Sequence, residues 1–239
     1  MGLPKIQSPI LQFKLPVLNK IVKYRPFTVK EEKILLMAAE STDSVDMYNA
    51  FLQVINNCIL SEDVKPEELH IFDLEIIFLL LRIASVGEDV SFKIKDEETD
   101  TWAEVEVNLQ TVVNDCVKNV TIPSKQIQIN DTLGIVLKDI TLGIFAGSSI
   151  DQNVTAEDAF NMLKLVIDTV YDKEDVYLLA DFGDEEITEF LESFATSDLE
   201  KIYDYLNNIP RVHATINYKV NKEDRTLELK GVTDFFQYV

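Results

Sequence analysis

Apolar residues recur along this chain with two periods, and the switches between them mark its elements. Leu11, Phe13 and Leu15 alternate with polar neighbours, and Val22 and Tyr24 do so again after a Leu18–Asn19 turn, which predicts an N-terminal β-hairpin. Pro26 ends the second strand because it cannot donate to a ladder. Thr28 and Glu31 then form a capping box, and a helix follows through Ile34, Leu35 and Ala38 to about residue 39. Met47, Phe51, Val54, Ile55 and Cys58 lie at spacings of three and four, the signature of a second helix over residues 43–59. After Pro66 a third element is strongest from Phe72 to Ala84. Its run Ile76-Ile77-Phe78-Leu79-Leu80-Leu81 leaves little polar face, so it is predicted to be the buried central helix.

The period changes at Gly87. Val90, Phe92 and Ile94 alternate with polar residues, and after the loop 96–100 so do Ala103, Val105, Val107 and Leu109, predicting a second hairpin with one wet face. From 111 to 144 the signal is mixed, with short strand patterns at 126–129 and 135–137. Thr155 and Asp158 cap a predicted helix whose stripe is Phe160, Leu163, Ile167 and Val170. Ile187, Phe190, Leu191 and Phe194 mark another, and Ser197 with Glu200 caps a third that Pro210 stops. Val212, Ala214, Ile216, Tyr218 and Val220 then alternate, answered by Leu227 and Leu229 across a loop at 221–225. The predicted fold is α+β and mostly helical, with hairpins at both ends and a β-rich middle. Its expected segments are 1–87 (hairpin plus helices), 88–148 (β-rich insertion) and 149–239 (helices plus hairpin), the first and last packing as one core.

Composition narrows the class. The chain has 239 residues, 46% hydrophobic, with 42 acidic against 22 basic side chains and a net charge of −20. It is too apolar for a disordered chain. The acidic balance argues against binding nucleic acid or an anionic membrane, and the longest apolar run falls well short of the roughly 18 residues of a membrane span. The first ten residues do not read as a secretory signal. The charge is unevenly placed. Residues 1–30 carry +6 and no acid, whereas residues 31–200 carry −27. Between Lys173 and Lys201 stand ten acids and no base. A basic arm on an acidic body points to internal docking, to head-to-tail self-association, or to two ordinary solvated faces.

The inventory of chemistry-bearing groups is short. His70 and His213 are far apart, and Cys58 and Cys116 are too few and too scattered to make a zinc site or a disulfide framework with them. Cys58 falls on an apolar stripe, where a thiol behaves as a small hydrophobe. Residues 143–149 have glycines but lack the lysine of a phosphate loop, and read more simply as a turn. No catalytic residue, metal ligand or cofactor site is nominated. Three candidate partner-binding clusters remain. The first is the cation–aromatic corner Lys23, Tyr24, Arg25 and Phe27, rich in residue types that anchor interfaces. The second is the acidic group Asp181, Asp184, Glu185 and Glu186, which also suits a helix N-terminus. The third is the aromatic cluster Phe235, Phe236 and Tyr238.

Particular stretches also suggest kinship. Leu3-Pro4-Lys5-Ile6, the run from Lys23 to Leu36, Ile55-Asn56-Asn57-Cys58, Phe72-Asp73-Leu74-Glu75, residues 81–88, Ile209-Pro210-Arg211, Leu229-Lys230-Gly231 and Phe235-Phe236 together resemble the baseplate hub subunits and hub assembly proteins of T-even-type contractile-tailed bacteriophages. The resemblance is densest over residues 20–88 and thin over 110–150. It implies a non-enzymatic protein that acts in baseplate hub assembly through protein–protein contacts, as a minor hub component or an assembly chaperone. Its implied partners are other hub or tail proteins, the tape measure among them. Its implied location is the host cytoplasm during assembly and the virion tail baseplate. Two other readings stand beside it: a host-directed regulatory binding protein, and a carboxylate-based metal-dependent hydrolase using residues 172–200.

Overall fold

The computed structural model describes residues 7–41, 44–96, 99–147, 156–221 and 223–238; the side chains of 44–45, 145–147, 156–159 and 236–238 are outside that description. In chain order the elements are β1 (Leu11–Lys14), β2 (Ile21–Tyr24), α1 (Val29–Ala39), α2 (Ser44–Cys58), α3 (Ile71–Val86), β3 (Asp89–Asp96), β4 (Thr101–Asn108) and α4 (Leu109–Asn119). They continue with β5 (Gln126–Gln128), β6 (Gly134–Leu137), α5 (Leu142–Gly147), α6 (Ala156–Val166), β7 (Ile167–Tyr171), β8 (Val176–Leu178), α7 (Asp184–Glu192) and α8 (Thr196–Asn207). The last are β9 (His213–Val220), β10 (Glu223–Lys230) and α9 (Gly231–Tyr238). The fold is α+β, with more helix than strand, and its strands form small separate sheets.

Two compact units share these elements: residues 1–120 with 211–239, and residues 121–210. The boundaries differ from those drawn on the sequence. β3, β4 and α4 belong with the first unit rather than with a middle insertion, and the sheet of the second unit takes β5 and β6 from before residue 148 and β7 and β8 from after it.

In the first unit, α3 is buried on every side from Ile71 to Leu81. His70 caps it, its Nδ1 accepting the Phe72 N–H at 3.1 Å. Two acids, Asp73 and Glu75, lie in this segment with no solvent exposure. Positions two apart on a helix are about 200° apart around its axis, so the two carboxylates serve opposite sides. Asp73 accepts the N–H groups of Val17 and Leu18 at 3.0 and 2.7 Å, holding the β1–β2 turn, in which Asn19 adopts a positive φ. Glu75 accepts from Arg211 Nε at 2.7 Å, from the Val212 N–H at 2.8 Å and from the Val232 N–H at 3.2 Å. Burial pushes the Glu75 carboxyl above the ordinary carboxylate range, against the downward pull of Arg211 and the two backbone N–H groups.

Gly231 completes this clamp. Its φ is +74°, and a Cβ there would fall 2.2 Å from Arg211 Nη2 and 3.0 Å from Glu75 Oε1. Only glycine fits both the conformation and the close approach.

β9 and β10 pair antiparallel over eight residues each. The expected alternation holds: Val212 and Val220 are buried, while His213, Thr215, Asn217 and Lys219 are exposed. The turn is tighter than the expected 221–225 loop, because Glu223 already pairs with Val220, and Asn221 supplies the positive φ. The chain does not finish on this hairpin: α9 follows it, with Phe235 fully buried.

The second unit is a four-stranded antiparallel meander, β5-β6-β7-β8, with a bulge between Val136 and Leu137 and with α6, α7 and α8 in the same unit. Several expectations change here. The helical stripe through Ile167 and Val170 is a misreading: α6 stops at Val166, and the β-branched run Ile-Asp-Thr-Val-Tyr forms β7. Thr155, its expected cap, is outside the described residues. Residues 142–147 are a short helix rather than a turn, and Ser148 and Ser149 are outside the description. α8 starts ahead of the expected Ser197 cap. Its N-cap is Ala195, whose N–H donates to Asp198 Oδ2 at 3.2 Å. In the first unit, Leu109 opens α4 instead of extending β4, because Asn108 Oδ1 caps the helix through the Thr111 N–H at 2.9 Å.

Removing either partner of the Glu75–Arg211 pair leaves a buried charge uncompensated, which costs about 3–5 kcal/mol. Glu75→Gln and Arg211→Ala are each expected to destabilise the first unit by that order, and the double variant by less than the sum. Urea unfolding followed by the fluorescence of Trp102 on β4, the single tryptophan, checks this. Additive losses would show that the two residues do not act as a pair.

Candidate functional site

The corner from Lys23 to Thr28 turns out to be stitched into the fold. Tyr24 is buried and bridges to Ile59 next to the end of α2. The Arg25 N–H donates to Cys58 O at 3.0 Å, and its guanidinium reaches Pro26 O and Asn57 O, both at 2.9 Å. The same guanidinium holds Glu31 at 3.2 Å. Phe27 is half-buried, its N–H donating to Ser85 Oγ at 2.9 Å. Of the four residues of this cluster, only Lys23 presents an exposed side chain. The Glu31 carboxylate also accepts the Thr28 N–H at 2.8 Å and the Thr28 hydroxyl at 2.5 Å. Burial pushes its carboxyl up, but Arg25 and Thr28 outweigh that and hold it down at about 2.

Beyond the corner, α1 carries an uncovered apolar stripe. Val29, Leu36 and Met37 are 79%, 62% and 63% exposed at positions i, i+7 and i+8, with Lys30 and Lys33 exposed on the same helix. This face belongs to no nominated cluster. Its signal was in the sequence, since Leu36 and Met37 fall off the stripe that Ile34, Leu35 and Ala38 define.

The aromatic cluster is divided. Phe235 lies in the core of its own unit. Phe236 and Tyr238 sit on α9, with side chains outside the described residues.

The acidic cluster is exposed. Asp181 ends a 3-10 turn after β8, and Asp184, Glu185 and Glu186 form the first turn of α7, where carboxylates suit the helix N-terminus. Asp184 pairs with Lys164 at 2.8 Å. Beside these acids is a groove of about 310 Å³ lined by Leu133, Val170, Tyr177, Leu179, Phe182, Ile187 and Phe190, with Asp172 and Glu186 on its wall. Tyr177 and Phe182 are 6.3 Å apart between ring centres, and the Tyr177 hydroxyl reaches Asp172 Oδ2 at 3.3 Å. Asp172 Oδ1 accepts the N–H groups of Glu174 and Asp175, both at 2.8 Å, and these bonds hold its carboxyl below the usual range. The groove escaped sequence reasoning because β8 was not recognised: three residues are too few to show a period.

Among the described residues, no group of three or more His, Cys, Asp or Glu side chains is placed to hold a metal ion. Among the described residues, no helix is long and apolar enough to cross a membrane. Both cysteines are buried. Burial pushes the Cys58 thiol up to about 11 and raises that of Cys116, which donates to His213 O at 3.3 Å. Neither favours the nucleophilic thiolate.

The sequence model of a family described as T4 bacteriophage base plate protein matches residues 8–237. No curated protein and no solved structure matches the chain at a significant level.

Two predictions follow from these sites. With a folded value near 2 against an ordinary 4.5, Glu31 contributes stability that is present above about pH 4.5 and lost as the pH falls toward 2, by about 3 kcal/mol in all. The stability of the wild type relative to Glu31→Gln, measured by urea unfolding at steps from pH 6 to pH 2.5, should shrink as acid is added; parallel curves would contradict it. For the cysteines, a thiol reagent at pH 8 should label neither Cys58 nor Cys116 in the folded protein and both in denaturant, and fast labelling of the native chain would be inconsistent with their burial.

Proposed function

The chain belongs to the T4 bacteriophage base plate protein family, and we propose that it acts in assembling the baseplate hub, through contacts with other hub or tail proteins and without catalysis. The family match over residues 8–237 carries this reading. Its geometry is consistent with an interaction role. The buried acids hold the fold together, and a group of the exposed ones lies beside an apolar groove. Exposed apolar side chains on α1 and β8 leave two surfaces for partners, one beside Lys30, Glu32 and Lys33 and the other mostly flanked by carboxylates. The field around the acidic surface steers basic partners over distances of about a Debye length, roughly 8 Å at physiological salt. The protein acts in the host cytoplasm while the hub forms, either staying in the tail as a minor component or leaving as a chaperone; the tape measure is among the partners that fit.

A clean deletion in the phage should abolish tails, and complementation should restore them; normal infectious tails from the deletion would refute the assignment. Mass spectrometry of purified virions separates the two modes: its peptides are present if it is a hub component and missing if it is a released chaperone.

A further inference from the structure

The edge of the second unit's sheet is built unlike an ordinary protected edge. β8 pairs with β7 on one side, through Thr169–Leu178, Val170–Tyr177 and Tyr171–Val176, and among the described residues it ends the sheet. Its three residues are Val176, Tyr177 and Leu178, exposed by 70%, 37% and 51%. Edge strands in soluble proteins are blunted by charge, proline or cover, because an open apolar edge recruits another strand. Here the strand is short, three residues, but it carries no charge or proline and its side chains are left uncovered. Alternation sends Tyr177 to the groove side and Val176 and Leu178 to the other face of the sheet.

The surroundings are predominantly acidic, with Lys173 the one cation of the β7–β8 turn. Asp172, Glu174 and Asp175 occupy the β7–β8 turn, and Asp181, Asp184, Glu185, Glu186 and Glu189 follow β8, all of the latter exposed. One of these carboxylates, Asp184, is paired with Lys164.

Resting on the assembly role proposed above, we infer that β8 and its groove accept an extended, basic and partly apolar segment of a different protein by strand addition. An extended occupant fits better than a helix. A helix in the groove covers Tyr177 and leaves Val176 and Leu178 in water, whereas an added strand pairs with the open backbone and sends alternate side chains to both faces. A basic occupant fits because lysine or arginine side chains beside the strand meet the carboxylates of the turn and of α7. A different protein fits better than a second copy, because a second copy carries a net charge of −20 and its described basic residues before α1, Lys14, Lys20, Lys23 and Arg25, are held in or beside an already paired hairpin rather than in a free extended segment.

The test uses the full chain and a fluorescent nine-residue peptide, Lys-Val-Lys-Phe-Lys-Val-Lys-Phe-Lys. Controls replace every apolar residue by Ser, or every Lys by Glu. Anisotropy should show the apolar basic peptide binding about tenfold or more tighter than the Ser version, a gap of 1.4 kcal/mol. Binding should weaken with added salt and be absent for the Glu version. Hydrogen exchange should show new protection at Val176–Leu178 on binding. Leu178→Lys, at an exposed position, should keep its circular dichroism and lose the peptide. Equal binding of the Ser peptide would reduce the effect to charge and overturn the inference. So would unchanged binding by Leu178→Lys, absence of protection at β8, or self-association of the free chain that Leu178→Lys abolishes. In the phage, missing tails from the deletion with normal tails from Leu178→Lys would overturn the strand-addition site and leave the hub assignment intact.

Discussion

Glu75 and Arg211 stand 136 positions apart in sequence and meet at α3, a helix buried on every side from Ile71 to Leu81. A carboxylate in such a place loses its hydration, and that loss is recovered only if a cation and backbone donors arrive in good geometry. The requirement works as a constraint on the fold. A segment crossing α3 with an apolar side chain at position 211 would strand the charge. A residue larger than glycine at 231 would push the guanidinium off the carboxylate. Asp73, on the opposite side of the same helix, imposes a similar condition on the β1–β2 turn. α3 therefore selects what lies on both of its sides by hydrogen bonding, while hydrophobic burial supplies most of the driving force.

Carboxylates are sorted between inside and outside in this chain of 42 acids. The acids inside, Asp73, Glu75, Asp96 and Glu31, each have defined donors and hold segments in place. Those outside create a field without a focus, except where β8 and α7 set them around an apolar groove. Two places where exposed apolar side chains gather are α1, beside Lys30, Glu32 and Lys33, and β8, where carboxylates predominate.

Much of this was legible in the sequence. The two long hairpins announced themselves by alternation, α3 by its unbroken apolar run, and α1 by Thr28 and Glu31. What misled was local ambiguity. Ile167 and Val170 satisfy a helical spacing and a strand composition equally well, and only pairing with β6 decides between them. β8 is too short to have a period. The corner at Lys23–Thr28 drew attention as a cluster of interface residue types, yet the partners of Arg25 lie at positions 26, 31 and 57, and sequence proximity does not reveal a contact with Asn57. Asp73 and Glu75 border the apolar run Ile76–Leu81 in sequence, and nothing local says that their donors come from residues 17–18 and from 211, 212 and 232. Several stretches behind the family resemblance, Phe72–Glu75, Ile209–Arg211 and Leu229–Gly231, turn out to build that one clamp.

The second unit interrupts the first in sequence, and this gives the chain a timetable on the ribosome. Residues 121–210 are complete as a unit before Arg211 is made, whereas α3, finished long before, waits for residues 211–232 to cover its buried carboxylate. Until then the Glu75 side of α3 lacks Arg211 and the backbone donors of Val212 and Val232. The nascent chain is most exposed to aggregation over that interval, and its final segment acts as a latch that closes the earliest-made half last.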